Sequence, residues 1–394
     1  MDPKPLKIGI LAGEISGDHL GSSLMRDFNA ISGDQREFEF IGVGGPQMID
    51  AGLKPLASID QFLVNGFLEP LLKLPELWAL YKKLLDDFDS RKIDLFIGID
   101  FNVFNFLIEK RLKKKGIRIV HYVSPSVYAW RKGRAKKIGK FVDLLLCLFP
   151  FEPGFYKNTD LNAVYVGHPK ASAIEIDKSD LVRGRSRERL GLPMSSTVLA
   201  VLPGSRKSEI HLLFRVFIES AIAFSKRITT PVVVVIPCAN TRAKEEIERM
   251  KHAFPSIDIR LYEQELSAVL YAADIVLTKA GTSTLDCLLH RRPMVVSYKL
   301  GRFSYFFARF LVDTRFVALP NIISGKEVVP ELLQDDATAE SLSEALLKEL
   351  KKSKAVEGYF SDFEEIHRQL AAGASRPSFA ASEIVKFFNL KSPS

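Results

Sequence analysis

The sequence predicts an α/β protein built from two doubly wound, parallel-sheet domains, and three observations carry that expectation. Short apolar runs alternate with amphipathic stretches of helical length along the whole chain. Many of these runs end in a glycine- or proline-bearing turn that opens a helix, as parallel βαβ units require. The third is length: 394 residues exceed what one hydrophobic core usually supports.

In chain order, residues 7–11 read as a buried first strand, and the turn AGEISGD (12–18) leads into a helix over about 19–30. Residues 38–43 form a second strand closed by Gly44-Gly45-Pro46. The stretch 61–85, rich in Phe, Leu and Trp, contains Pro70 and Pro75 and so divides into two short helices. Strands follow at 94–99, 118–122, 144–148 and 163–166. The polar run DKSDLVRGRSRER predicts a hinge, giving domains at 1–176 and 191–345 with a linker at 177–190. The second strand set is 198–202, 232–236, 258–262, 274–277 and 294–296, with helices at 210–224 and 242–253, and residues 346–394 read as helices only. Ligands of doubly wound sheets sit at the carboxyl ends of the strands. Two such domains facing a cleft would hold a donor in one half and an acceptor in the other.

Composition narrows the function. Apolar content of 47 % and charged content of 26 % are those of a globular protein. A net charge of +8 points to an anionic partner: nucleic acid, an acidic lipid surface or a phosphorylated substrate. The three cysteines, Cys147, Cys238 and Cys287, lie far apart in apolar runs, so a disulfide framework is not expected and a reducing, cytoplasmic setting fits. The N-terminus is too short in apolar residues for a signal peptide, and no run approaches the roughly 20 residues of a membrane span.

Two turns in the second half are suited to anions. In ADIVLTKAGTSTLDCLL (273–289), an apolar strand leads through Gly281 to Thr282, Ser283 and Thr284, hydroxyl residues able to cap a helix whose first turn carries Asp286. That arrangement would receive a phosphate, with Asp286 placed to accept bonds from ribose hydroxyls; an ordinary capped turn is the plain alternative. In LPGSR (202–206), Arg206 would set a positive fork beside backbone N–H groups, with Glu209 one turn further on.

The first half offers carboxylates. Asp100 ends the apolar strand LFIGID, where burial by Phe101 and Phe104 would raise its pKa toward that of a general base; a helix N-cap is the competing role. Glu14, in the first glycine turn, is a second candidate. His121 and His168 read as satisfied structural histidines, and no residue set has metal-ligand spacing, so neither metal nor cofactor is expected. Asp87-Phe88-Asp89 has the form of a metal-holding DxD but sits at the end of a charged helix. The basic run RKGRAKKIGK (131–140) follows Tyr128-Ala129-Trp130 and suits a phosphate-bearing ligand, a lipid surface or plain solvation, with nucleic acid a weaker reading. LGRFSYFFARFLV (300–312) mixes aromatics with arginines, as a membrane-contacting surface or a core helix would.

Together, AGEISGDHLG, GVGGPQM, HYVSPSVYAWR, LPGSR, AGTSTLD and LPNIISGKEVVPELLQ occur in the order in which they stand in one family, and over nearly its whole length the sequence resembles the lipid-A-disaccharide synthases. The resemblance implies a metal-independent, inverting glycosyltransferase of GT-B architecture whose tail helices return to the first domain and, in some members, exchange between the protomers of a homodimer. Its substrates would be UDP-2,3-diacylglucosamine and 2,3-diacylglucosamine 1-phosphate (lipid X), joined β-1,6 at the cytoplasmic face of the inner membrane, with no nucleic-acid partner. Asp100 matches the family's proposed base. Glu14, Ser16, Asn105, Ser124, Trp130, Arg131, Arg206, Gly281, Thr282, Ser283, Thr284, Asp286 and Asn321 fall on its substrate-binding motifs. The chain departs from the family where GID is usually followed by a small residue, Pro, Asp, Phe and Asn. Here the second Asp is Val103, leaving Asp100 as the loop's carboxylate. A different UDP-sugar enzyme, such as a 2-epimerase or another glycolipid transferase, and a nucleotide-binding module are the alternatives the residues leave open.

Overall fold

In the computed structural model the chain is described over residues 5–32, 37–62, 74–125, 133–174, 180–299, 315–374 and 378–390. Trp130, Arg131, the aromatic stretch 300–312 and most of the apolar stretch 61–74 lie outside those residues. The chain divides into two compact units: Met1–Ser172 with Gln369–Ser394, and Ala173–Arg368.

The first unit holds β1 (Leu6–Ala12), β2 (Phe38–Gly44), β3 (Lys54–Ser58), β4 (Leu95–Ile99), β5 (Arg118–Tyr122), β6 (Leu144–Cys147) and β7 (Asn162–Tyr165). They form one sheet in the order β3-β2-β1-β4-β5-β6-β7, parallel throughout. Both faces are apolar because alternate residues point to opposite sides. Ile8, Ile10, Ile97, Val120 and Leu146 pack on one side with helices Ile15–Ser32 and Phe379–Phe387. Leu11, Phe96, Ile119 and Leu145 pack on the other with Leu74–Arg91 and Asn102–Lys114. The tail joins this unit through Ala380, Ala381, Ile384 and Leu390.

The second unit holds β8 (Thr197–Leu202), β9 (Val232–Cys238), β10 (Asp258–Glu263), β11 (Ile275–Lys279), β12 (Met294–Tyr298) and β13 (Glu331–Leu333), ordered β10-β9-β8-β11-β12-β13 and again parallel. Helix Lys207–Ser225 buries Ile210, Phe214 and Phe217 against Leu199, Val201 and Val295, joined by Leu342 and Leu346 of helix Ala339–Ala355.

Three features differ from the sequence-based expectation. The expected hinge contains helix Asp180–Arg189. Its Arg187 is 3 % exposed, pairs with Asp274 at 2.7 Å and donates to the carbonyls of Ala272, Met194 and Ser196. Charge that reads as a solvated link is therefore neutralised inside the second unit. Residues 346–368 also stay with the second unit, and only from Gln369 does the chain rejoin the first. Finally, the edge strands β3 and β13 lack the apolar runs that mark the others; they are half-exposed or only three residues long.

Candidate active site

At the carboxyl end of β4 the backbone leaves its ordinary range. Asp100 and Phe101 both have left-handed dihedrals, φ +47° and +45°. Aspartate tolerates this; a bulky phenylalanine does not, and such strain typically costs about 1–3 kcal/mol per residue. The surroundings hold it in place. Asp100 N–H donates to Tyr122 O at 2.8 Å, and the Asn105 amide donates to Asp100 O at 2.8 Å and to Ile99 O at 3.3 Å. The Phe101 ring packs edge-on to Phe62 with centroids 5.3 Å apart. Asp100 is not the helix N-cap: that position belongs to Phe101, which makes no side-chain cap bond. Burial raises the Asp100 carboxyl above its ordinary pKa, while the His121 charge and the Phe101 backbone N–H oppose it. A carboxyl raised in this way is a better proton acceptor than an ordinary aspartate.

Around it, Asn105 is fully buried and acts as a tie between β1, β4 and the Asp100 loop. Ser124, 6 % exposed, follows a strained Val123 at φ +84° and bonds to the Tyr156 hydroxyl at 2.9 Å. Glu14 and Ser16 are exposed at the end of β1. The nearby Asp18, which the sequence reading did not single out, is 4 % exposed and accepts N–H bonds from Gly45, Gln47 and Met48 at 2.8–3.1 Å. It thereby caps helix Pro46–Asp50 from a distance and ties two strand-end turns together. The DxD-like triplet is structural: Phe88 is fully buried and Asp89 pairs with Lys115.

In the second unit, the carboxyl ends of β8, β11 and β12 are adjacent. Arg206 is exposed and precedes helix Lys207–Ser225. The N–H groups of Ser205 and Arg206, expected to face a phosphate, donate instead to Glu209 Oε2 at 3.2 and 3.3 Å. Gly204, at φ +123°, leaves room for this: a Cβ there would lie 2.5 Å from the Glu209 carboxylate. Lys279, at the end of β11, donates to Glu209 Oε1 at 2.6 Å, and its ammonium lies 6.0 Å from the Tyr298 ring centroid. The sequence signal for Lys279 was present: a cation at the end of an apolar strand, the same logic that marks Asp100.

The hydroxyls of Ser283 and Thr284 do not cap helix Ser283–Leu289, and Thr282 makes no side-chain cap either. Ser283 Oγ donates back to Lys279 O at 3.2 Å, and Thr284 Oγ1 donates to Gly281 O at 2.7 Å. Asp286 lies in the first turn but is 6 % exposed, which leaves little of its carboxylate for a ribose. Asn321 is saturated. Its NH2 donates to Val329 O and Glu331 Oε1, and its Oδ1 accepts from Val328 and Val329 N–H, all at 2.7–2.9 Å. All four of its hydrogen-bonding positions are spent on folding its own loop.

The fold first defines a class: two parallel-sheet α/β units of the GT-B type. The chain is similar in fold to a Staphylococcus aureus MnaA–UDP co-structure (TM-score 0.61, 11 % identity, covering 100 % of this chain and 99 % of that one). It is likewise similar to a UDP-GlcNAc 2-epimerase from Neisseria meningitidis (TM-score 0.58, 11 % identity, 93 % and 99 %) and a glycosyltransferase from Rickettsia africae (TM-score 0.56, 10 % identity, 98 % of each). Sequence narrows the class. Residues 8–383 match the family described as lipid-A-disaccharide synthetase. The chain is 43 % identical over 373 residues to a lipid-A-disaccharide synthase of Azotobacter vinelandii, covering 94 % of this chain and 96 % of that one. A Hahella chejuensis synthase is 40 % identical over 380 residues, covering 96 % and 94 %. The chain belongs to the lipid-A-disaccharide synthetase family.

Proposed function

We propose that the protein joins UDP-2,3-diacylglucosamine to 2,3-diacylglucosamine 1-phosphate, forming a β-1,6-linked disaccharide 1-phosphate and UDP. The observation that carries this reading beyond family membership is Asp100, a carboxylate raised in pKa and held on a strained loop at a strand's carboxyl end. It accepts the proton of the acceptor's 6-hydroxyl as that oxygen attacks the donor's anomeric carbon. The bond from that carbon to the UDP oxygen breaks on the opposite face, so one displacement inverts the centre. Arg206 meets the charge gathering on the departing diphosphate, while Lys279 at the adjacent strand end is paired with Glu209.

An acylated acceptor fits the surface beside Asp100. Val103 and Leu107, one turn apart on helix Asn102–Lys114, are 77 % and 44 % exposed, and Trp78 on Leu74–Arg91 is 54 % exposed. No helix among the described residues is long and apolar enough to cross a membrane. With a net charge of +8, peripheral attachment to the anionic cytoplasmic face of the inner membrane accords with such a lipid substrate.

The test is product formation from purified donor and acceptor. Asp100→Asn should lower turnover by roughly two to four orders of magnitude. Wild-type turnover in folded Asp100→Asn removes Asp100 from the role of base. Because similarly folded enzymes include 2-epimerases, the donor is also incubated alone; consumption without acceptor would favour epimerisation.

A further inference from the structure

Behind Asp100 runs a line of polar side chains that the reaction above does not use. Glu109 and His121 are both 0 % exposed, and Glu109 Oε1 lies 2.6 Å from His121 Nδ1. The other ring nitrogen, Nε2, is 3.1 Å from Asn102 Oδ1. Asn102 Nδ2 in turn points at Asp100 Oδ1, 3.4 Å away, a long contact aimed at the carboxylate. Three elements converge to build the line: Asp100 directly follows β4, β5 carries His121, and helix Asn102–Lys114 supplies Asn102 and the buried Glu109. A Cβ at Gly98 would lie 2.2 Å from Glu109 Oε1, so a larger residue in β4 would expel the carboxylate from its place.

This arrangement is poor value as stability alone. Taking a carboxylate and an imidazole fully out of water is unfavourable, and apolar side chains of similar size would fill the same layer without that penalty. Its polarity has a direction. Glu109 holds one ring nitrogen of His121, the other faces the Asn102 carbonyl oxygen, and the Asn102 NH2 is thereby turned toward Asp100.

We propose that Asn102, oriented by the buried His121–Glu109 pair, is a positioning residue for Asp100, fixing the direction of its carboxylate and the pH at which it ionises. The proposal rests on Asp100 being the base. Among the described residues, His121 from β5 is the charged group whose field acts on Asp100, with Glu109 behind it; Glu14, at the end of β1, is exposed. A donor aimed at a carboxylate favours its ionised form, so loss of the Asn102 amide should raise the pH at which Asp100 ionises.

The experiment records kcat and KM against pH for the full-length wild type, Asn102→Ala, His121→Gln, Asp100→Asn and the double variant Asp100→Asn/Asn102→Ala. Asn102 is partly exposed, so its truncation should leave the fold intact, as thermal melting will establish. Asn102→Ala should lower kcat about 10- to 100-fold with little change in KM, the scale on which a misplaced catalytic group slows a reaction. It should also move the acidic limb of kcat/KM to higher pH and lower kcat no further in the Asp100→Asn background. His121→Gln should move the limb the same way; should it fail to fold, Asn102→Ala decides alone. An unmoved limb in Asn102→Ala, or a loss that adds fully to that of Asp100→Asn, overturns the proposal while the base assignment stands. Wild-type turnover in Asp100→Asn overturns both.

Discussion

Lys279 Nζ and Glu209 Oε1 meet at 2.6 Å, with both side chains less than one-fifth exposed. The pair joins the end of β11 to the first turn of the helix after β8. Glu209 also accepts from the backbone N–H groups of Ser205 and Arg206, so one carboxylate occupies donors that a phosphate would otherwise use.

A pH dependence of stability follows. Burial works to raise the Glu209 carboxyl, but the Lys279 hydrogen bond and charge, aided by the Arg206 and Ser205 amides, outweigh it and hold the pKa below its ordinary 4.5. A group depressed in the folded state stabilises it above its unfolded pKa, and that contribution is lost as pH falls from about 4.5 through the folded value. Glu209→Gln should therefore flatten the acid limb of thermal stability below about pH 4.5. Identical acid limbs for wild type and variant would refute it.

Arg206 should act on the nucleotide rather than on the fold. It is exposed and without an ion pair among the described residues, so Arg206→Ala should leave the melting temperature nearly unchanged. Loss of a charge-assisted contact to a diphosphate is worth about 1.5–3 kcal/mol, or roughly 10- to 100-fold in UDP affinity by calorimetry. Arg206→Lys should recover only part of it, because an ammonium cannot supply the bidentate fork. UDP binding unchanged in Arg206→Ala would remove Arg206 from the donor site.

Asp18 is expected to matter through structure. Its carboxylate satisfies three N–H groups at the start of helix Pro46–Asp50, and the residue is 4 % exposed. Asp18→Ala leaves those donors unsatisfied and should destabilise the protein by about 1–3 kcal/mol, read by denaturant titration. A stability equal to wild type would mean that water or a rearranged turn replaces the cap.

What the sequence revealed and what it hid divide along a physical line. Strand ends were legible because a polar residue closing an apolar run stands out locally, as Asp100 and Arg206 do. Residues whose partners are distant in sequence were not. Arg187 looks solvated until Asp274, 87 residues away, is folded against it. Nor does the sequence show that Val328, Val329 and Glu331 hold the Asn321 amide. The Thr/Ser cluster after Gly281 was misread more simply: a hydroxyl can cap forward or donate backward to a carbonyl, and composition does not choose between them.

Glu152 should make the protein less stable as pH rises. It follows β6, is 2 % exposed, and burial lifts its carboxyl from 4.5 to about 8 despite the N–H groups of Phe149 and Leu148. A carboxyl raised in the folded state stays protonated there while the unfolded chain releases its proton above about pH 4.5. Folding then loses free energy progressively between about pH 4.5 and 8. Glu152→Gln keeps a neutral side chain of the same shape that can still accept from Phe149 N–H, now 3.0 Å from Glu152 Oε2. Its melting temperature should match wild type near pH 4.5 and exceed it increasingly toward pH 8, by several degrees at the upper end. A constant offset across that range would mean that Glu152 does not change its ionisation on folding.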